Sequence, residues 1–259
     1  MAWAVTSRPR WILELDPDFP APAQVAPLLP DAVILQPAVP GLERWPDVPA
    51  PHVAYGTMAT LTRMRRHRPL AGAVFDDYPS LRCSAYYRAV YDLLGRAAVI
   101  APMAALAHLP LARMFGERVF IRSDSNFKLF AAAAVDAADA PRFADARRAH
   151  WGELVVVSEV IDPGEEFRCF CRDGRAFCHS AYPREPWGPA PPEVVAFAEG
   201  AARRILEAGG PNMVTVDVGA GRDRMRLIEV GGVNSWGLYG SDPDAFLAAM
   251  EAEALARLG

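Results

Sequence analysis

The chain changes its pattern near residue 97, and that change limits the folds open to it. Before it, apolar strand-like runs alternate with helix-like ones. "RWILEL" and "DAVILQP" come first, then "HVAYG" leading into "TMATLTRMRR", and "LAGAVFDD" leading into "SLRCSAYYRAVYDLLG". Thr57 is placed to cap the first of those helices. Such alternation predicts a small parallel α/β unit. Beyond it, "RVFIRSD", "ELVVVSEVI", "EEFRCFCRDGRAFCHSAY", "MVTVDVG" and "RMRLIEV" read as strands mostly joined as hairpins. Helices are expected at "PPEVVAFAEGAARRILEAG" and "PDAFLAAMEAEALARL". Two modules follow, residues 1–97 and 98–259, with the boundary near residues 95–115.

Composition narrows the class. At 259 residues, 52% hydrophobic and 22% charged, the chain has the make-up of an ordinary soluble globular protein. A net charge of −4 and a pI near 5.8 argue against a broad nucleic-acid surface. The local exception is "RMRRHR", Arg63 to Arg68, which reads as a solvated helix end or as a local anion site. The first residues lack the apolar run of a signal peptide, and no apolar stretch reaches a membrane-spanning length, so a cytoplasmic protein without a membrane partner is expected. Four cysteines fit that setting as free thiols. Three lie in "CFCRDGRAFC", where a two-residue Asp173-Gly174 turn would set Cys169 opposite Cys178. Zinc is the weaker alternative, since no second ligand pair has the usual spacing.

The chemistry-bearing residues interrupt strands. Asp217 breaks "VTVDVG" and Glu229 breaks "LIEV", and the short "AGRD" loop between them places the two carboxylates across or diagonal on one hairpin. Buried carboxylates need a compensating charge. Either they share Mg²⁺, with Asn234 adding an oxygen through the Gly231-Gly232 turn, or Glu229 pairs with an arginine such as Arg224 or Arg226. In "SEVIDPGEEFRCF", Glu159, Val160 and Ile161 could receive a planar base, Glu166 could accept from ribose hydroxyls, and Arg168 shares a strand face with Glu166. The blander reading is a set of surface charges on an exposed hairpin. In "FIRSDSNFK", Arg122 and Lys128 flank small polar residues, a pattern suited to polyphosphate, and no Walker-type loop is present.

Taken in order, "FIRSDSNFK", "EEFRCF…DGRAFCHSAY" and "DVG…LIEVGGVNSWGLYG" resemble the ATP-grasp superfamily, in its divergent clade with arginine in place of the first phosphate-binding lysine. The resemblance covers roughly residues 117–240. It implies an α/β N-terminal domain like that preceding ATP-grasp folds, followed by an α+β ATP-grasp fold with antiparallel sheets. It implies ATP and Mg²⁺ as cofactors. Arg122 and Lys128 would bind phosphates, Glu159 to Ile161 would form the adenine hinge, and Glu166 would hold the ribose. Asp217, Glu229 and an asparagine would bind Mg²⁺. The family's usual asparagine position is Gly231 here, so Asn234 would substitute, and the "SDSNF" loop lacks the usual glycines.

The function that follows is an ATP-dependent ligase acting through an acyl phosphate. It would join a small-molecule or peptide carboxylate to an amine or a related nucleophile. Arg168 and Arg184 would carry transition-state charge. Ser235 and Trp236, with Gly56, Thr57 and Asp76 from the front module, would wall the acceptor pocket. Asp76 and Asp77 are equally suited to a helix-capping turn, and the aromatics to packing against the C-terminal helix. A phosphotransferase on the same fold, and a nucleotide-binding module without chemistry, are the rival readings.

Overall fold

In the computed structural model, residues 8–36, 47–67, 73–74, 79–183 and 185–258 are described. The first sheet has the order β2-β1-β3-β4, from β1 (Arg10–Glu14), β2 (Val33–Leu35), β3 (His52–Tyr55) and β4 (Ala73–Val74), and every pairing is parallel. Strands of such a sheet are covered on both faces and carry continuous apolar runs. Trp11, Ile12 and Leu13 are all buried accordingly. Ile12 and Ala54 pack with Leu61 and Met64 of α2 (Met58–His67). Trp11, Leu13 and Tyr55 face the other way, towards α1 (Ala21–Val25) and a helix from far along the chain.

The remaining strands form two antiparallel sheets. One has the order β5-β8-β6-β7, from β5 (Ala98–Pro102), β6 (Arg118–Ser123), β7 (Ala133–Asp136) and β8 (Leu154–Glu159). The other has the order β10-β9-β11-β12, from β9 (Glu165–Arg172), β10 (Arg175–Tyr182), β11 (Met213–Ala220) and β12 (Met225–Gly231). The helices are α3 (Cys83–Val90), α4 (Leu111–Phe115), α5 (Ala140–Asp145), α6 (Pro192–Glu207) and α7 (Pro243–Ala256). Among the described residues, none of the helices is long and apolar enough to cross a membrane.

Strand alternation explains where charge is tolerated. On β6, Val119 and Ile121 enter a core with Leu111, Phe143, Val155 and Val157, so Phe120 and Arg122 point to the opposite face. On β9 and β11, Phe167, Cys169, Val216 and Val218 pack with α3 and α6. Glu166, Arg168 and Asp217 are thereby turned to the other face of that sheet.

The modules interlock across the boundary drawn at residue 97. Leu81, Tyr86, Tyr87, Val90 and Leu94 pack in the core beneath α6, not on the first sheet. Conversely, Phe246, Leu247 and Met250 of α7 bury Trp11, Leu13 and Tyr55.

The hairpin between β9 and β10 turns at Asp173 (φ 52°) and Gly174 (φ 73°), the two positive values that a tight right-twisted connection requires. Its register departs from the two-residue expectation. Ala176 pairs with Cys171, but the ladder then slips and Cys178 faces Phe170, while Cys169 faces His179. The extra residue of a β-bulge causes this shift. All four cysteines are free and buried, and burial pushes the Cys169 thiol up to about 12. Native protein should therefore react with a thiol reagent slowly, and denatured protein should yield four thiols. Recovery of two under anaerobic handling would contradict free cysteines.

A candidate nucleotide cleft between the antiparallel sheets

Glu229 finds its compensating charge across the gap between the two antiparallel sheets. The nearest cation is Arg122 of β6, whose Nη2 donates to Glu229 Oε1, and Lys128 Nζ lies 3.9 Å from Oε2. The arginine alternatives do not reach it: Arg224 and Arg226 both pair with Asp223. Burial alone would raise the Glu229 carboxyl. Arg122, then Lys128 and Arg168, more than offset that and hold it below the ordinary carboxylate range. Arg122 is only 8% exposed, and although burial disfavours its charge, Glu229 keeps it firmly protonated.

These residues form one wall of a cleft of about 700 Å³. The other walls hold Glu159, Val160, Ile161 and Glu166, so the expected phosphate-binding, hinge and ribose residues all line a single space. Val160 is 42% exposed there, an apolar surface facing the opening. Glu159 Oε2 accepts from Ala97 N at 2.8 Å, which fixes the strand end. The Glu166 carboxyl is raised, chiefly by burial. A bond from Tyr182 opposes that rise and the nearby Asp217 charge adds to it. Arg96 also lines the cleft, with its guanidinium 3.4–3.5 Å from the Leu227 and Ile228 carbonyls. Nothing in "LLGRAAV" marked that residue beforehand.

Asp217 and Glu229 are direct cross-strand partners, as the hairpin suggested, but they are neutralised separately. Asp217 is 0% exposed and takes two bonds from Arg168, Nε to Oδ1 and Nη2 to Oδ2, both at 2.8 Å. Tyr182 Oη lies 2.9 Å from Asp217 Oδ2 and 3.2 Å from Glu166 Oε2, so one hydroxyl proton serves two carboxylates. Arg168 also donates through Nη1 to Gly237 O at 3.2 Å, with its guanidinium over Tyr182, Trp236 and Tyr239 at 4.5–5.1 Å. It is thus a buried ion-pair partner and does not line the cleft, contrary to the expectation that it meets phosphate.

The 231–237 turn serves the seam with the first sheet. A Cβ on Gly231 would fall inside the Trp236 indole, which explains glycine at that position. Asn234 does not reach the carboxylates as expected. Its Nδ2 donates to Ala54 O at 2.6 Å and Val74 O at 2.7 Å, because the ends of β3 and β4 present carbonyls there. Gly56 N donates to Asn234 O, Tyr55 Oη donates to Trp236 O, and Thr57 N donates to Glu14 Oε2. Thr57 Oγ1 lies 3.4 Å from Thr60 N, the expected capping contact. Ser235 is half-buried in the same turn, and Trp236 is buried between Arg168 and Lys128. Gly56 and Thr57 are therefore engaged in this seam, and Asp76 and Arg184 lie outside the described residues.

The donor set suits a metal only in part. Among the described residues, no three Cys, His, Asp or Glu side chains converge as a metal cage. Asp217 is already neutralised by Arg168, and Asn234 is spent on the first sheet. Glu229 lines the cleft as an acid function among cations, which suits a Mg²⁺ held mainly by phosphates and water.

A family model, the ATP-grasp domain of the R-to-K clade, family 2, matches residues 93–249, more than half of the chain. The chain belongs to that ATP-grasp family. No curated relative matches it. The ATP-grasp fold extends over the whole chain in solved structures. D-cycloserine synthetase DcsG is 14% identical at a TM-score of 0.66, with 96% of this chain and 100% of that chain covered. The ATP-grasp ligase PsnB, solved with a precursor variant, Mg and ADP, is 14% identical at 0.59, with 98% and 100% covered. D-alanine–D-alanine ligase from Bacillus anthracis, solved with ATP, is 12% identical at 0.59, with 97% and 96% covered. These ATP-grasp neighbours are ligases, and the parallel front sheet followed by antiparallel sheets is the layout expected from the sequence.

Proposed function

We propose that this chain is an ATP- and Mg²⁺-dependent ligase joining a carboxylate to an amine or a related nucleophile. One observation carries the reading. A single cleft gathers paired cations, an exposed apolar strand end and a buried-edge glutamate from β6, β8, β9 and β12. Bound ATP with Mg²⁺ supplies a phosphoryl group to the substrate carboxylate, and the nucleophile then displaces phosphate from the acyl phosphate. The residues' part is charge and position. Arg122 and Lys128 exchange Glu229 for phosphate oxygens, and Glu229 is released to hold the metal. Glu159, Val160 and Ile161 receive the base, and Glu166 accepts from the ribose. Arg168 and Asp217 act through their neighbours, keeping Glu166 and Trp236 in place. Arg184 remains a candidate contact to the carboxylate or acyl phosphate.

Incubation with ATP and candidate acids and amines tests the chemistry. ADP with free phosphate and a condensed product supports ligation. ADP with a stable phosphorylated acceptor identifies a phosphotransferase, and no turnover with any pair leaves a nucleotide-binding module. The nucleotide role has its own check. Glu166→Ala should weaken ATP binding by about 1–3 kcal/mol, the cost of unpaired polar groups. Unchanged affinity by calorimetry would remove Glu166 from the ribose.

A further inference from the structure

Arg66 and Arg82 stand apart from the cations of the nucleotide cleft. Arg122 and Lys128 face Glu229, and Arg96 faces carbonyls, whereas among the described residues neither the Arg66 nor the Arg82 guanidinium has an ion-pair or hydrogen-bond partner. Both line a second cleft of about 230 Å³ between α2, the turn before α3 and the loop after β6. Thr62 and Arg66 share one face of α2, being four residues apart. Thr62 is only 9% exposed, and its Oγ1 lacks a partner. Asn126, in the loop opposite, has both amide atoms buried and unpartnered. Buried polar groups are normally satisfied, and those left over in one small space beside two free guanidiniums describe a complement to something polar and anionic.

We propose that this cleft holds a carboxylate at the end of the substrate remote from its reacting group. The proposal rests on the ligase reading and names the substrate class: a small acid with a second functional end. Ser125 borders both clefts, so an anion seated at Arg66 and Arg82 extends towards Lys128, where the phosphates are placed. The guanidinium forks suit carboxylate oxygens bidentately. Asn126 offers both a donor and an acceptor, and Thr62 a hydroxyl, for an amine, amide or hydroxyl beside the carboxylate. The space is below the range of drug-sized pockets, which limits the anchored part to a short acid.

Ligand-observed NMR on the full chain tests this with glutarate and, separately, inorganic phosphate. Each is run with and without a saturating non-hydrolysable ATP analogue. Glutarate should bind, and the Arg66→Gln/Arg82→Gln double variant should bind it at least about tenfold more weakly, through loss of two charge-assisted contacts. The analogue's affinity should be unchanged in that variant. Glutarate binding that ignores the two substitutions, or binding of phosphate without glutarate, overturns the proposal. If the analogue fails to bind while glutarate remains arginine-dependent, the carboxylate site stands and the nucleotide reading falls.

Discussion

Asp217→Ala is expected to destabilise the protein by about 3–5 kcal/mol, the cost of stranding one member of a buried ion pair. The geometry places the effect at the upper end of single substitutions. Asp217 is fully buried, and Arg168 gives it two bonds at 2.8 Å within a ring of three aromatic side chains. With the carboxylate gone, Tyr182 keeps only Glu166, and the guanidinium keeps one carbonyl, Gly237 O. Denaturant melts give the number. A loss below about 1 kcal/mol, the value of an exposed pair, would mean that water reaches the guanidinium. Replacing Arg168 and Asp217 together by apolar residues should restore much of the loss, since paired removal leaves no buried charge.

Glu229→Gln should lower turnover by about a hundredfold or more, because a charge placed at the reacting phosphates is removed. The substitution should leave nucleotide affinity much less affected, since the base and ribose contacts lie elsewhere in the cleft. Near-normal activity at saturating Mg²⁺ would exclude Glu229 as the metal-holding group. Stability offers a second readout. The folded carboxyl titrates below its ordinary range, so its contribution is present above the usual glutamate value of about 4.3 and is lost as pH falls through the lowered one. The melting-temperature gap between wild type and Glu229→Gln should therefore narrow in acid. A gap that stays constant down to the unfolding pH would contradict the Arg122 pairing.

Local pattern made much of this legible. The alternation of apolar runs marked the parallel front strands, and Asp217 opposite Glu229 followed from a short loop between two interrupted strands. Partners remote in sequence were not legible. Arg122 and Glu229 are 107 residues apart, and Arg168 and Asp217 are 49 apart on strands whose adjacency no local signal encodes. Nearby Arg224 and Arg226 were the natural candidates for Glu229, and a closer acid, Asp223, took them. The bulge after Ala176 was equally hidden, because an extra residue in a hairpin leaves the alternation readable in either register. β7 escaped notice since its alanine-rich "AAVD" has little strand propensity.

The interlocking of α7 with the first sheet sets a schedule for biosynthesis. Trp11, Leu13 and Tyr55 emerge from the ribosome early, yet the side chains that cover them, Phe246 and Met250, come almost last. At translation rates of about 5–20 residues per second, that apolar face waits roughly 10–40 seconds for its cover. During that interval the nascent chain presents a sticky, half-built sheet, so a chaperone that shields it would raise yield more than any slowing of elongation. Chains cut short just before α7 should be recovered as aggregates.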